Sequence, residues 1–300
     1  MNESPARHTV RRSILITGAN RGIGYATARE LAHAGHAVTL TSRDPDAGLG
    51  AVDRLHREGA SGDVRAAVLD LASFASVHRC AAELAEGRPF DVLIHNAGIM
   101  VAAPGRRLTE DGIEECLQVH AVAPMLLTTL LGPGLARPCR IIMVTSSLHA
   151  PGSHGEPVGF DFDDPNLDRG YNPDRAYKNA KLAQIWLTRE WERRFGHAGL
   201  HANAVCPGFV PKTVAPYTRG TQRLLLRYVL PWMPFATSIK DAARIEANWA
   251  LRDPDEPGGH YFDGHEVTAP SEDARDPANA DAFWAMVERW IGRPIEAPLD

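Results

Sequence analysis

The chain lacks a strong excess of either charge. Its 300 residues carry 32 Lys and Arg against 37 Asp and Glu, a formal net charge of −5. That balance supplies no electrostatic reason to expect nucleic acid or an acidic membrane as a partner. The basic residues are spread along the chain, and Arg11-Arg12 is too short to act as an anchor or an address. Cysteine is scarce. Cys80, Cys116, Cys139 and Cys206 stand far apart, so no metal site is expected. In a chain of this size they are expected to be reduced core thiols of an intracellular protein. Residues 1–12 hold no apolar run, so they are expected to form a flexible polar tail and not a signal peptide. No apolar stretch is uninterrupted enough to suggest a bilayer span. Internal repeats, low-complexity segments and Pro/Gly-rich linkers are also missing. A single cytoplasmic domain, 13–300, is the expectation.

What is present is alternation. Ser13-Ile-Leu-Ile-Thr17, Ala37-Val-Thr-Leu-Thr41, Val64 to Leu69, Val92-Leu-Ile-His95, Arg140 to Thr145 and His201 to Cys206 are short apolar runs. Such runs suit buried parallel strands. Helix-like segments separate them: 22–34, 47–58, 74–86, 114–131 and 175–195. Strand and helix in strict alternation predict an α/β fold, a Rossmann-type doubly wound parallel sheet with helices on both faces. Two segments break the rhythm. Pro151 to Pro173 is rich in Gly, Pro and Asp and is expected to be a long loop; Pro207 to Ser238 holds five prolines and many large apolar residues. Both follow an expected strand, on the side where open α/β sheets bind ligands.

The first strand runs into Thr17-Gly18-Ala-Asn20-Arg21-Gly22-Ile23-Gly24, which opens the first helix. Glycines allow a tight turn and close approach of backbone to a pyrophosphate, and a helix N-terminus offers unpaired N–H groups to it. After the second strand come Ser42 and Arg43, with no carboxylate before Asp44. A serine and two arginines, Arg21 and Arg43, suit a 2′-phosphate, so NADP(H) is favoured over NAD(H). Asp70-Leu71, after the third strand, is placed to meet the adenine. Asn96-Ala97-Gly98, after the fourth, offers small residues where the chain must pass close to the cofactor.

Arg175-Ala-Tyr177-Lys-Asn-Ala-Lys181 sets a phenol and an ammonium four residues apart, on one face of a helix. A nearby positive charge favours the phenolate and brings a tyrosine, whose free pKa is about 10, closer to the working range of a general acid or base.

Together these residues resemble the short-chain dehydrogenase/reductase family, from Ser13 to about Ile291. Five motifs stand in the family's order: the glycine turn, Asn96-Ala-Gly98, Val144-Thr-Ser-Ser147, Tyr177 to Lys181 and Pro207-Gly208. Within the family the chain is most similar to the retinol dehydrogenase and protochlorophyllide reductase-like group. Tyr177 to Ala183, Asp161-Phe-Asp-Asp164 and Gly258-Gly-His-Tyr-Phe262 carry that likeness, while the N-terminal membrane anchor of many retinol dehydrogenases is not expected here.

The resemblance implies that Tyr177 gives a proton to a carbonyl oxygen or takes it back. It implies that Lys181 lowers the Tyr177 pKa and holds the nicotinamide ribose. Ser147, in preference to Ser146, would polarise the carbonyl. Pro207-Gly208, the Val210 backbone and Thr213 would clamp the nicotinamide. His120 stands where the family usually keeps an asparagine that holds a water linked to the lysine, and either a relay role or a structural one is open to it. Homodimers or homotetramers built through the Tyr177 helix are common in the family.

The apolar stretch 207–238 is expected to be a substrate lid, with 222–230 a short helix whose Arg223 and Arg227 face water. Its residues either line a site for a bulky hydrophobic ketone, aldehyde or alcohol or pack the lid onto the domain. His149 and His154 are candidates to line the same pocket. The expected protein is an NADP(H)-dependent carbonyl/alcohol oxidoreductase. Reduction of an activated C=C bond, or NADP(H) binding without catalysis, are the alternatives.

Overall fold

The four residues Ser13–Ile16 form the first strand, β1, and all four are buried. Their side chains alternate between the two faces of a sheet. Ile14 and Ile16 join one apolar cluster, and Leu15 joins the other. The same alternation recurs in β4 (Phe90–His95), where Val92 and Ile94 face one way and Leu93 the other. Both faces are therefore covered, which is why these runs read as continuously apolar.

The computed structural model describes residues 10–100, 105–151, 159–215, 218 and 220–296. The remaining strands are β2 (Ala37–Ser42), β3 (Val64–Val68), β5 (Leu135–Val144), β6 (Leu200–Cys206), β7 (Tyr261–Asp263) and β8 (Glu266–Thr268). They make one sheet in the order β3-β2-β1-β4-β5-β6-β7-β8. Every pairing is parallel except β7 with β8. The chain builds outward from β1 to β3, then returns to the other side of β1 with β4. This reversal opens a crevice beyond the carboxyl ends of β1 and β4.

Helices α1 (Gly22–His33), α2 (Pro45–Arg57) and α9 (Ile239–Ala250) cover one face, through residues such as Leu31, Leu55 and Ile245. The other face is covered by α3 (Phe74–Ala85), α5 (Ala123–Leu131), α6 (Pro173–Phe195) and α11 (Pro277–Ile291), through Val77, Leu126, Ile185 and Trp284. Short helices α4 (Glu115–Leu117), α7 (Pro211–Val214), α8 (Gly220–Leu224) and α10 (Glu272–Arg275) complete the set. Glu115–Gly134 is apolar and long enough to cross a membrane by length and composition, but 89% of its apolar window is buried in the protein. It is a core helix of the sheet's second face.

Two differences from expectation have physical causes. β5 begins at Leu135, not at Arg140, because Ala136, Arg137 and Pro138 form a partly exposed strand end that breaks the apolar run. β7 and β8 have three residues each, too short to show periodicity. The expected loop before α6 is irregular over 159–172 but firmly packed. Phe160 and Phe162 lie against Trp186 of α6, ring centroids 5.6 and 5.8 Å apart. The Asp164 carboxylate accepts from the Asp168 and Arg169 N–H groups at 2.7 and 3.0 Å. All four cysteines are buried and free.

α6 starts where Asn172 accepts from the Asp174 and Arg175 N–H groups, with Pro173 in the first turn. Trp186 anchors it, only 1% exposed, with its indole N–H donating to the Asp273 carbonyl at 2.8 Å. Trp186→Ala should cost about 3–5 kcal/mol. The expected reading is a lower urea midpoint with an unchanged m-value; a midpoint matching the parent would show that α6 is anchored elsewhere.

Candidate active site

The glycine turn sits at the head of the crevice. Gly18 and Gly22 both have φ +64°, a region open to glycine at no steric cost. A Cβ on Gly18 would lie 2.9 Å from the Ala97 Cα, and one on Gly24 would lie 2.3 Å from the Asn96 Nδ2. The turn is thus pressed onto the Asn96-Ala97 segment. Asn96 Nδ2 donates to the Thr17 carbonyl at 2.8 Å, and the Ala97 N–H donates to Thr17 Oγ1 at 3.0 Å. From the other side the Gly18 N–H donates to Thr41 Oγ1 at 3.2 Å. The first turn of α1 has no acidic residue, and its N-cap residue, Arg21, makes no side-chain capping bond. Ile23, partly buried, follows the turn within the first turn of α1. These features fit a dinucleotide's pyrophosphate.

Around that cradle, the Asn20 carbonyl is held by the Arg54 guanidinium at 2.9 Å. Ser42 is buried at the end of β2, and its Oγ accepts from the Asp44 N–H at 3.2 Å. Arg21 and Arg43 are exposed. Asp44 caps α2 by accepting from the Asp46 and Ala47 N–H groups. Arg43 and Asp70 share the wall of an open cleft. Asp70 accepts from the Ala72 N–H at 2.9 Å, and the buried Leu71 offers its carbonyl to Gln118 Nε2 at 3.3 Å.

On the far side of the crevice, β5 ends at Val144 and leads into a single 3-10 turn, Ser147–His149, packed against α6. Ser146 caps this turn through its Oγ, accepting from the Leu148 N–H. Ser147 stands exposed. Of the two serines, Ser146 is tied into local structure.

Tyr177 is half-buried on α6, and the Lys181 Nζ lies 5.4 Å from its ring centroid. Lys181 is itself 5% exposed. Its ammonium donates to the Val144 carbonyl at 2.9 Å and to Gln184 Oε1 at 3.1 Å. Burial pushes its pKa down to about 8, with Cys116, Cys206 and Glu246 acting in the opposite direction.

His120 needs a different description from the one its sequence position suggests. Proline stands four residues on, at 124, and has no N–H for the His120 carbonyl. The helix widens here into a π-turn, Gln118–Val122. The His120 carbonyl instead accepts from Gln184 Nε2 at 2.9 Å. A continuous path therefore runs from Lys181 through the Gln184 amide to the His120 carbonyl, and the imidazole is not part of it. The ring's Nε2 lies 2.9 Å from the Ile99 nitrogen and from the Ile99 oxygen. Its Nδ1 is buried with no hydrogen-bond partner among the described residues. Burial, followed by the Lys181 charge, holds the His120 pKa well below its ordinary value, so the ring is neutral. It meets Tyr177 edge-on, centroids 5.5 Å apart. A Cβ on Gly98 would stand 2.8 Å from His120 Cε1, which explains the glycine there.

The clamp region follows β6. Pro207 is buried, and Gly208 has φ +86° with Thr237 Oγ1 only 2.2 Å from where a Cβ would be. The Val210 carbonyl accepts from the Thr213 N–H at 3.0 Å and from Thr213 Oγ1 at 2.8 Å.

His149 does not line an open pocket. It is 3% exposed, its Nδ1 lies 2.8 Å from the Ser146 carbonyl, and its Nε2 accepts from the Ser271 N–H at 3.2 Å. It locks the end of β5 to the C-terminal segment. His154 lies outside the described residues.

A family model described as short chain dehydrogenase matches residues 12–157. Human retinol dehydrogenase 13 is 34% identical over 303 residues, covering 98% of this chain and 88% of its own. The chain belongs to the short-chain dehydrogenase/reductase family. A crystal structure of an uncharacterised protein from Mycobacterium paratuberculosis is 32% identical, with TM-score 0.73, covering 96% of this chain and 95% of its own. A blue fluorescent protein from a metagenomic library, solved in complex with NADPH, is 25% identical, with TM-score 0.65, covering 86% and 99%.

In this short-chain dehydrogenase, Gln184 is the residue that sequence reasoning passed over. Its signal was Pro124, which strips the His120 carbonyl of its helical donor and calls for a replacement. Gln184→Leu removes the side-chain donor to that carbonyl and one of the two Lys181 acceptors. The substitution should cost about 1–3 kcal/mol of stability, measured by chemical denaturation. Unchanged stability would mean that water takes over both bonds without loss.

Proposed function

We propose that the protein is an NADP(H)-dependent oxidoreductase that interconverts a carbonyl and an alcohol on a bulky apolar small molecule, with Tyr177 as general acid and base. One observation carries this reading: a buried Lys181 ammonium, held by two acceptors, beside the Tyr177 ring. A cation fixed there lowers the cost of forming a phenolate.

Each residue has a role in that reading. Gly18, Gly22 and Gly24 let the pyrophosphate approach the α1 N-terminus. Arg21, Arg43 and Ser42 receive the 2′-phosphate. The nearest carboxylate, Asp44, is engaged in capping α2, so it does not compete for the ribose hydroxyl as an NAD-preferring carboxylate would. Asp70 and Leu71 border the adenine, Asn96, Ala97 and Gly98 pass beneath the ribose, and Pro207, Gly208, Val210 and Thr213 hold the carboxamide. The NADPH held by the 25% identical solved relative supports the same preference. When bound, the nicotinamide supplies or accepts the hydride. Ser147 donates to the substrate oxygen and polarises it. Tyr177 delivers the proton to that oxygen in reduction and removes it in oxidation. Lys181 holds the ribose and keeps the phenol acidic. His120 positions Tyr177 by its ring edge, and its carbonyl, through Gln184, orients Lys181. A relative named for retinol, a large apolar alcohol, supports the substrate class.

Tyr177→Phe should lower NADPH-dependent turnover of bulky ketones at least about a hundredfold, with NADPH affinity nearly unchanged and tighter than NADH affinity in the same titrations. Retained turnover would remove Tyr177 from the chemistry.

The Lys181 charge sets a pH limit. Its folded pKa of about 8 lies below the ordinary 10.5, so the ammonium is present below pH 8 and lost as pH rises through it. For carbonyl reduction, kcat/KM should fall on the alkaline side with a midpoint near that value. A profile flat to pH 10 would contradict the assigned role.

A further inference from the structure

Thirteen large apolar side chains stand exposed among the described residues, and eight of them lie between Phe209 and Phe235. The segment runs from α8 through a π-turn, Leu225–Val229, and a 3-10 turn, Leu230–Trp232. Leu226, 5% exposed, faces inward and seats the segment beside α7. The adjacent rows face out. Leu224 and Tyr228 form one row, Leu225, Val229 and Trp232 the next, and Arg223 and Arg227 flank them; all seven are exposed. Trp232 is 83% exposed and Phe235 62%. A patch of this kind on a folded protein marks an interaction surface.

Charge identifies the occupant. No Asp or Glu occurs between Glu192 and Asp241, while Lys212, Arg219, Arg223, Arg227 and Lys240 all fall within 207–240. The net charge of −5 conceals this, because the rest of the chain carries the whole negative excess. A second copy would be a poor occupant. Two-fold pairing of this face would set its arginine rows against each other, with no carboxylate in the segment to answer them. An anionic bilayer answers every element at once. Its acyl boundary receives leucine and valine, its interface suits tryptophan and tyrosine, and its phosphates suit arginine forks.

We propose that the outer face of the 220–235 segment docks on the surface of an anionic lipid bilayer, with Trp232 and its apolar neighbours inserted and Arg223 and Arg227 on the headgroups. On the reading of a bulky apolar substrate, this would set the lid against the phase in which that substrate dissolves. The docking itself stands whether or not that reading holds.

The test is co-sedimentation of the full chain with vesicles of phosphatidylcholine alone and of phosphatidylcholine with phosphatidylserine. Binding should be about tenfold stronger to the anionic vesicles and should weaken in high salt. Intrinsic fluorescence should shift to the blue as Trp232 leaves water. Arg223→Glu with Arg227→Glu should abolish the anionic preference, and Trp232→Ser with Phe235→Ser should lower binding to both vesicles, with far-UV circular dichroism and melting unchanged. No binding by the parent chain, or equal binding by parent and variants, overturns the proposal. So does self-association of the parent that these variants abolish in the absence of lipid, which would give the face to a second copy.

Discussion

The structure is organised around a buried positive charge. Removing an ammonium from water costs several kcal/mol unless its donors are answered. Lys181 is answered twice, by the Val144 carbonyl at the end of β5 and by Gln184 one turn along its own helix. A third bond, from Thr145 Oγ1 to the Lys181 carbonyl, ties the same strand end to α6. Strand β5 and helix α6 are thereby fixed where the sheet opens, and Tyr177 is fixed with them. Burial pulls the Lys181 pKa down to about 8, and the ammonium stands 5.4 Å from the Tyr177 ring centroid.

A proline supplies the second constraint. Pro124 interrupts the helix over the second face of the sheet and removes the donor that an α-helix would give the His120 carbonyl. The π-turn that results carries that carbonyl to the Gln184 amide and the His120 ring to the edge of Tyr177. One backbone irregularity thus connects two helices, the 115–131 stretch and α6. An amide bridging lysine to a main-chain carbonyl holds the two rigidly, where a water molecule would be exchangeable.

The glycine turn depends on contact between segments far apart in sequence. Gly18 touches Ala97, and Gly24 touches Asn96. Neither glycine's necessity is visible from its own neighbours, since the strands that bring these segments together are β1 and β4, joined only by the sheet. The 220–235 segment shows the opposite behaviour. Most of its large apolar side chains remain outside the core and form an exposed face with a basic border.

The amino-acid sequence by itself determined the alternation of strands and helices, the position of the glycine turn, and the Tyr177–Lys181 spacing. Each of these is written in local periodicity or in the four-residue geometry of a helix. The order Ser42-Arg43, with no carboxylate before Asp44, is equally plain in the sequence. Tertiary structure alone decided the rest. It assigned His149 to a structural bond with Ser271 instead of a pocket wall, because that bond spans 122 residues. It made the His120 carbonyl, not its imidazole, the link to Lys181, because the donor comes from Gln184 on another helix. It turned the 220–235 segment outward, with Leu226 the one buried side chain among its described residues. Local patterns report what a residue can do along its own element; which neighbour it meets is set by how the elements stack.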